Sequence, residues 1–124
     1  MADVANLSYL IVDDVSSVRE FLRQTLIHMG ASEIYEASSG ESATNSFQAN
    51  LPDVVFLDIE LPDYDGQQIL KKIRAAKPNA FVVMVSAHSS VDNVKTAISN
   101  GASGFIVKPF SPRKITSILK KFSK

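Results

Sequence analysis

The side chains best suited to chemistry are Asp13 and Asp14 side by side, Asp58 with Glu60 two residues on, the hydroxyl of Ser86 and the amine of Lys108. If Asp13, Asp14 and Asp58 were gathered in one place they would repel one another, and their pKa values would rise unless a cation held them. A hard divalent ion answers this: Mg²⁺ takes a few carboxylate oxygens together with waters and a phosphate. With Mg²⁺ beside Asp58, the Lys108 ammonium opposite and Ser86 near, a phosphoryl group would find cations on its oxygens, one hydroxyl donor and a carboxylate in line as nucleophile. That set describes a phosphoryl-acceptor site. The chain holds no cysteine, which removes disulfides, thiolate metal sites and cysteine nucleophiles from consideration.

Those residues are far apart in the chain, so the elements between them must bring them together. Apolar or β-branched runs at 7–12, 34–37, 54–57, 81–85 and 105–107 alternate with helical patterns, a βα unit repeated five times. Ser17 with Glu20 predicts a capping box for the first helix, whose stripe is Val18, Phe21, Leu22, Leu26 and Met29 and whose stop is Gly30. Ser38 with Glu41 predicts the second start, with Ala43 and Phe47 facing inward. The third helix runs from about Gly66 to Ala76, ahead of Pro78. Ser89 with Asp92 opens the fourth, which Gly101 ends, and Ser111 with Pro112 opens the fifth, with Ile115, Ile118, Leu119 and Phe122 on one face.

Short apolar strands separated each time by one helix suit a parallel α/β sheet, doubly wound and buried on both faces. Asp13 and Asp14, Asp58, Ser86 and Lys108 each follow a strand, so all fall on the carboxyl rim where open sheets bind ligands. The second strand ends in Ala37, Ser38 and Ser39, without charge, as suits an edge away from the site. In the order 2-1-3-4-5, taken over from flavodoxin-like sheets rather than read from the residues, the first and third strands are neighbours and their aspartates converge.

Charge adds exclusions. With 13 Lys+Arg against 13 Asp+Glu there is no basic excess to suggest nucleic acid. The acids crowd between Asp53 and Asp65, and the bases Lys108, Arg113, Lys114, Lys120, Lys121 and Lys124 crowd at the end. The basic end reads as a solvated helix face whose cations lie near a C-terminal dipole, and no direct DNA binding is expected. No run approaches the ~20 apolar residues of a membrane span, and Met1 to Asn6 carry no positive charge, so a cytoplasmic protein without membrane contact is expected. The expected organisation is a single domain over 1–124, its core about 7–123, with no output domain.

Val12-Asp13-Asp14, the run Val54-Val55-Phe56-Leu57-Asp58, the turn Leu61-Pro62-Asp63-Tyr64-Asp65-Gly66, Val85-Ser86-Ala87 and Lys108-Pro109-Phe110 together resemble the receiver domain of two-component response regulators. The resemblance runs from about Leu7 to the C-terminus with every motif in order. It implies that Asp58 is phosphorylated, that Asp13, Asp14, Asp58 and the Glu60 carbonyl hold Mg²⁺, and that Lys108 pairs with the phosphoryl oxygens. Ser86 would move to hydrogen-bond one of them, and Phe105 falls on the switch aromatic. That position is often Tyr in the family, so Phe105 keeps a rotamer switch but brings no hydroxyl to it. Pro109 would follow a cis bond, and Glu60 with His88 would flank the phosphoryl group and tune its hydrolysis.

The implied function is a switch and not an enzyme acting on other molecules. A histidine kinase or histidine phosphotransfer protein would phosphorylate Asp58, and the α4-β5-α5 surface, with Asp92, Lys95, Thr96 and Lys120 exposed, would control an unidentified protein target, as in chemotaxis. The alternative is a phosphorelay shuttle or phosphate sink. An aspartyl-phosphate phosphatase would need a cap segment that the chain lacks, and a flavin carrier would need a phosphate loop where Asp13 and Asp14 would repel an anion. A scaffold is disfavoured because no acidic position and no lysine of the pattern is missing. Asp63 and Asp65 read as turn formers around Gly66, His28 as a surface partner of the helix dipole, and Met29 and Met84 as core.

Overall fold

The short β-branched runs form strands and the amphipathic stretches form helices in a computed structural model that describes residues 4–87 and 91–122. After a 3₁₀ turn at Val4–Asn6 the order is β1 Ser8–Val12, α1 Ser16–His28, β2 Glu33–Ala37, α2 Gly40–Asn50, β3 Val54–Asp58 and α3 Gly66–Ala76. It continues with β4 Phe81–Ser86, α4 Val91–Ser99, β5 Gly104–Val107 and α5 Pro112–Phe122. All pairings are parallel, and the 5-stranded sheet has the order β2-β1-β3-β4-β5. The alternation predicts the parallel βα units, and the strand order is the flavodoxin-like one taken over for them. No helix among the described residues is long and apolar enough to cross a membrane.

Because successive strand residues point to opposite faces, the sheet feeds two cores. Leu10, Val12, Val55, Leu57, Val82 and Met84 pack with Phe47, Ile69, Leu70, Ile73 and Ala97 of α2, α3 and α4. Tyr9, Ile11, Val54, Phe56, Val83 and Val85 pack on the other face with Leu22 and Leu26 of α1 and Ile115, Ile118 and Leu119 of α5. Central β3 is buried along its whole length, whereas edge strand β2 leaves Glu33 and Glu36 exposed. Phe21, expected on the inward stripe, is instead 38% exposed, with its ring tilted against Phe110 at 5.6 Å between centroids.

Two helix starts differ from expectation. α1 begins with Val15 at its cap, whose side chain has no acceptor to offer, so Ser17 and Glu20 do not form its box; the Val15 N–H itself goes to the Asp13 carboxylate at 2.9 Å. The box of α2 is Ser39 with Ser42, whose hydroxyls and N–H groups satisfy each other, so Ser38 and Glu41 are not its members. The start given to α4 at Ser89 lies outside the described residues. At the other starts the reading agrees: the Ser111 carbonyl accepts from Lys114 at 3.0 Å, and Pro112 opens α5. Gly101 closes α4 with φ +98, a left-handed conformation that costs glycine little.

Candidate functional site

The site is the carboxyl rim at β1, β3, β4 and β5. Asp13 follows β1 and Asp58 ends β3, and the in-register pairing of the two strands sets their carboxylates side by side. Asp13 and Asp58 are buried, at 1% and 2% exposure, while Asp14 is exposed. One oxygen from each of Asp13, Asp14 and Asp58 lies within 4.8 Å of the others. Lys108 leaves the end of β5 and reaches across, its Nζ 2.8 Å from Asp13 Oδ2 and 3.2 Å from Asp58 Oδ2. Its backbone is anchored too, since the Lys108 N–H donates to the Ser86 carbonyl at 2.8 Å. The Lys108–Pro109 peptide is cis.

The remaining acceptors are only partly satisfied. Asp58 Oδ1 takes the Glu60 N–H at 3.0 Å, and Asp13 Oδ1 takes that of Val15. Asp13 Oδ2, though ion-paired with Lys108, has no aligned hydrogen-bond donor in its buried position. Burial first, and the Asp13 carboxylate second, push Asp58 up to about 6 against the opposing pull of Lys108. Burial would lower Lys108, but its close ion pairing with Asp13 and the charge of Asp58 outweigh it and raise the ammonium's pKa. One ammonium therefore does not neutralise the cluster.

An all-oxygen donor set, excess negative charge, one exposed member and an under-satisfied buried oxygen fit a hard divalent cation such as Mg²⁺. Asp13, Asp14 and Asp58 are the carboxylates that would hold it.

The other residues singled out from sequence divide. Ser86 is fully buried at the end of β4, yet its hydroxyl donates to the Glu60 carboxylate, at 2.9 Å to Oε2 and 3.1 Å to Oε1. That bond had no counterpart in the sequence reading. Phe105 is half-buried on β5, paired in register with Met84 and packed against the α2-α3-α4 core. Asp92, Lys95, Thr96 and Lys120 are exposed on α4 and α5. His88 lies outside the described residues.

Asp65 caps α3 through the Gln67 N–H at 2.8 Å, a local task its turn position suggested. Asp63 does more than form a turn: its carboxylate takes the N–H groups of Gly40 at 2.7 Å and Glu41 at 3.0 Å, tying the loop after Asp58 to the start of α2. Arg74, which no motif marked, donates to the carbonyls of Pro78, Ala80 and Gly101, joining α3 to the loops that lead into β4 and β5. No spacing rule reveals the Asp63 contacts or that of Arg74 with Gly101, because they join residues brought close only by the crossovers.

Residues 9–120 match the family model described as the response regulator receiver domain. The chemotaxis protein CheY of Thermotoga maritima is 36% identical over 115 residues, covering 93% of this chain and 96% of that protein. The CheY of Listeria monocytogenes is 36% identical over 118 residues, covering 95% and 99%. Among solved structures, the CheX-CheY-BeF₃-Mg complex of Borrelia burgdorferi matches with a TM-score of 0.91 at 32% identity, over 95% of this chain and 90% of that one. A CheY-like receiver domain protein of Methanospirillum hungatei matches with a TM-score of 0.88 at 28% identity, over 95% of each chain.

Proposed function

Since this chain belongs to the response regulator receiver domain family, closely resembling CheY, we propose that it accepts a phosphoryl group on Asp58 from a histidine kinase or histidine phosphotransfer protein and presents a changed α4-β5-α5 surface to a protein target. Phosphoacceptance in two-component signalling is general for the family, whose members are signalling switches. The observation that carries the assignment to Asp58 is its place beside Asp13 and Lys108: a buried carboxylate 3.2 Å from an ammonium, within a cluster short of positive charge.

In this reading an Asp58 oxygen forms a bond to phosphorus as the phosphorus–nitrogen bond of the donor histidine breaks, and the imidazole keeps the electron pair. Bound Mg²⁺ would supply charge neutralisation at the phosphoryl oxygens, and the BeF₃-Mg complex of the Borrelia CheY supports its inclusion. Lys108 contributes the second cation, already positioned by its ion pairs with Asp13 and Asp58. The Glu60 N–H holds the Asp58 carboxylate from one side, which fixes its orientation before any donor arrives. Phe105, next to the core and on β5 ahead of Lys108, is the aromatic placed to move with the switch. His88 with Glu60 would set the phosphoryl lifetime. A cytoplasmic setting, in which a kinase and a chemotaxis-type target are met, belongs to the same proposal.

Incubation with acetyl phosphate and Mg²⁺ followed by mass spectrometry tests the assignment, with an adduct of ~80 Da on the wild type and none on Asp58→Asn. An amide is a poor nucleophile and cannot form the acyl phosphate, so undiminished labelling of the variant refutes the role of Asp58.

A further inference from the structure

The Ser86 hydroxyl is committed before any phosphoryl group arrives. Its backbone is fixed on both sides: β4 is paired with β3 and β5, and the Ser86 carbonyl accepts the Lys108 N–H at 2.8 Å. With 0% exposure, the residue has little freedom except rotation about its side-chain bond. The hydroxyl has one proton, and in this structure both Glu60 carboxylate oxygens lie within reach of it, at 2.9 and 3.1 Å. A hydroxyl donating to a carboxylate makes a charge-assisted bond, stronger than a neutral one. Glu60 itself is held in place by two contacts of its backbone, the N–H bond to Asp58 Oδ1 at 3.0 Å and a bridge to Asp65.

We propose that the Glu60 carboxylate is a built-in competitor for the Ser86 hydroxyl, holding it away from the phosphoryl position and so opposing the activated arrangement until a phosphoryl oxygen displaces it. The inference rests on the phosphoacceptor reading and deepens it, for it makes Glu60 a positioning residue that acts through Ser86. One proton cannot serve two acceptors, so the bond seen here has to break before Ser86 can donate to a phosphoryl oxygen. Glu60 is exposed, so water takes over its carboxylate when the bond breaks and no buried charge is left unpaired.

A negative carboxylate near an anion site would also oppose the anion through its field alone, without using Ser86. A double-mutant cycle separates the two routes. Beryllofluoride, a phosphoryl mimic, is titrated at saturating Mg²⁺ into the wild type, Glu60→Ala, Ser86→Ala and the double variant. Glu60→Ala is expected to tighten binding ~5-fold, which is about 1 kcal/mol. In the Ser86→Ala background the same change should tighten it by less than ~1.5-fold, because no hydroxyl remains to be released. Equal tightening in both backgrounds overturns the competitor and leaves only the field.

Proton scalar couplings of Ser86 in the metal-free protein give an independent reading. A single rotamer in the wild type that becomes averaged in Glu60→Ala supports the proposal, and an unchanged rotamer refutes it. A wild type that binds no beryllofluoride overturns the phosphoacceptor reading, and this inference with it. Binding that Asp58→Asn abolishes, but that shows no Glu60–Ser86 coupling, overturns this inference alone.

Discussion

Asp58 sits where its charge is unwelcome until a cation arrives. Burial and the neighbouring Asp13 push it up to about 6, whereas in an unfolded chain an aspartate titrates near ~3.9. Between these values the folded chain holds a proton at Asp58 that the unfolded chain has released, so the contribution of Asp58 to the stability of the metal-free protein falls as pH rises from about 4 to about 6. Asp58→Asn removes this penalty. In melts with a chelator present, the stability of the variant relative to the wild type is expected to grow by about 2 kcal/mol from pH 4 to pH 7. A difference that stays flat over that range contradicts the assignment of the raised pKa to Asp58.

At the scale of elements, function depends on how closely loops seat against helices. Gly66 begins α3 directly beneath the end of β3, where a side-chain carbon would collide with the backbone of Asp58 and Ile59. Gly66→Ala is therefore expected to cost about 1–3 kcal/mol in denaturant unfolding, the range for overfilling a tight site, and to displace the Asp58 carboxylate. The same loop is tied to α2 by Asp63, whose pKa is lowered by the Gly40 N–H first and, against the opposing effect of burial, by the Glu41 N–H as well. A lowered carboxylate contributes stability above its unfolded pKa and loses it as pH falls through the folded one. Asp63→Ala should lower the melting temperature at pH 7, and the deficit should shrink as the pH drops below about 4. A deficit of the same size in acid would assign the loss to packing instead of to the carboxylate.

Over the whole molecule, the residues proposed to carry the signal are also parts of the fold. Lys108 touches the aspartates with its side chain and β4 with its backbone, and it lies between β5 and α5. In the proposed switch, a change in its pairing would pass to the half of the sheet that carries Phe105 and the exposed Asp92, Lys95, Thr96 and Lys120. Beryllofluoride with Mg²⁺ is expected to shift the amide resonances of Ser86 and of residues in α4, β5 and α5. In Lys108→Ala most of those distant shifts should be lost, even where anion binding persists. Shifts confined to the aspartate loops in the wild type would show that no switch of this kind reaches α4 and α5.

Alternating apolar runs and amphipathic stretches were enough to determine five βα units, the two-sided core and the rim on which Asp13, Asp14, Asp58, Ser86 and Lys108 would stand. These are legible because periodicity and turn chemistry act over a few residues, and because a strand's last residue has to face the carboxyl edge. Cap positions at α1 and α2 were not, since the Asp13 carboxylate and the Ser39–Ser42 pair satisfy N–H groups that several nearby hydroxyls could have served. Only the assembled sheet decided that Asp63 would reach Gly40 and Glu41, that Arg74 would hold Gly101, and that Glu60 would take the proton of Ser86. Each of those contacts joins segments through a crossover, so it depends on the angle and depth at which helices settle on the sheet. That is fixed by packing across both cores and is not written in any local pattern.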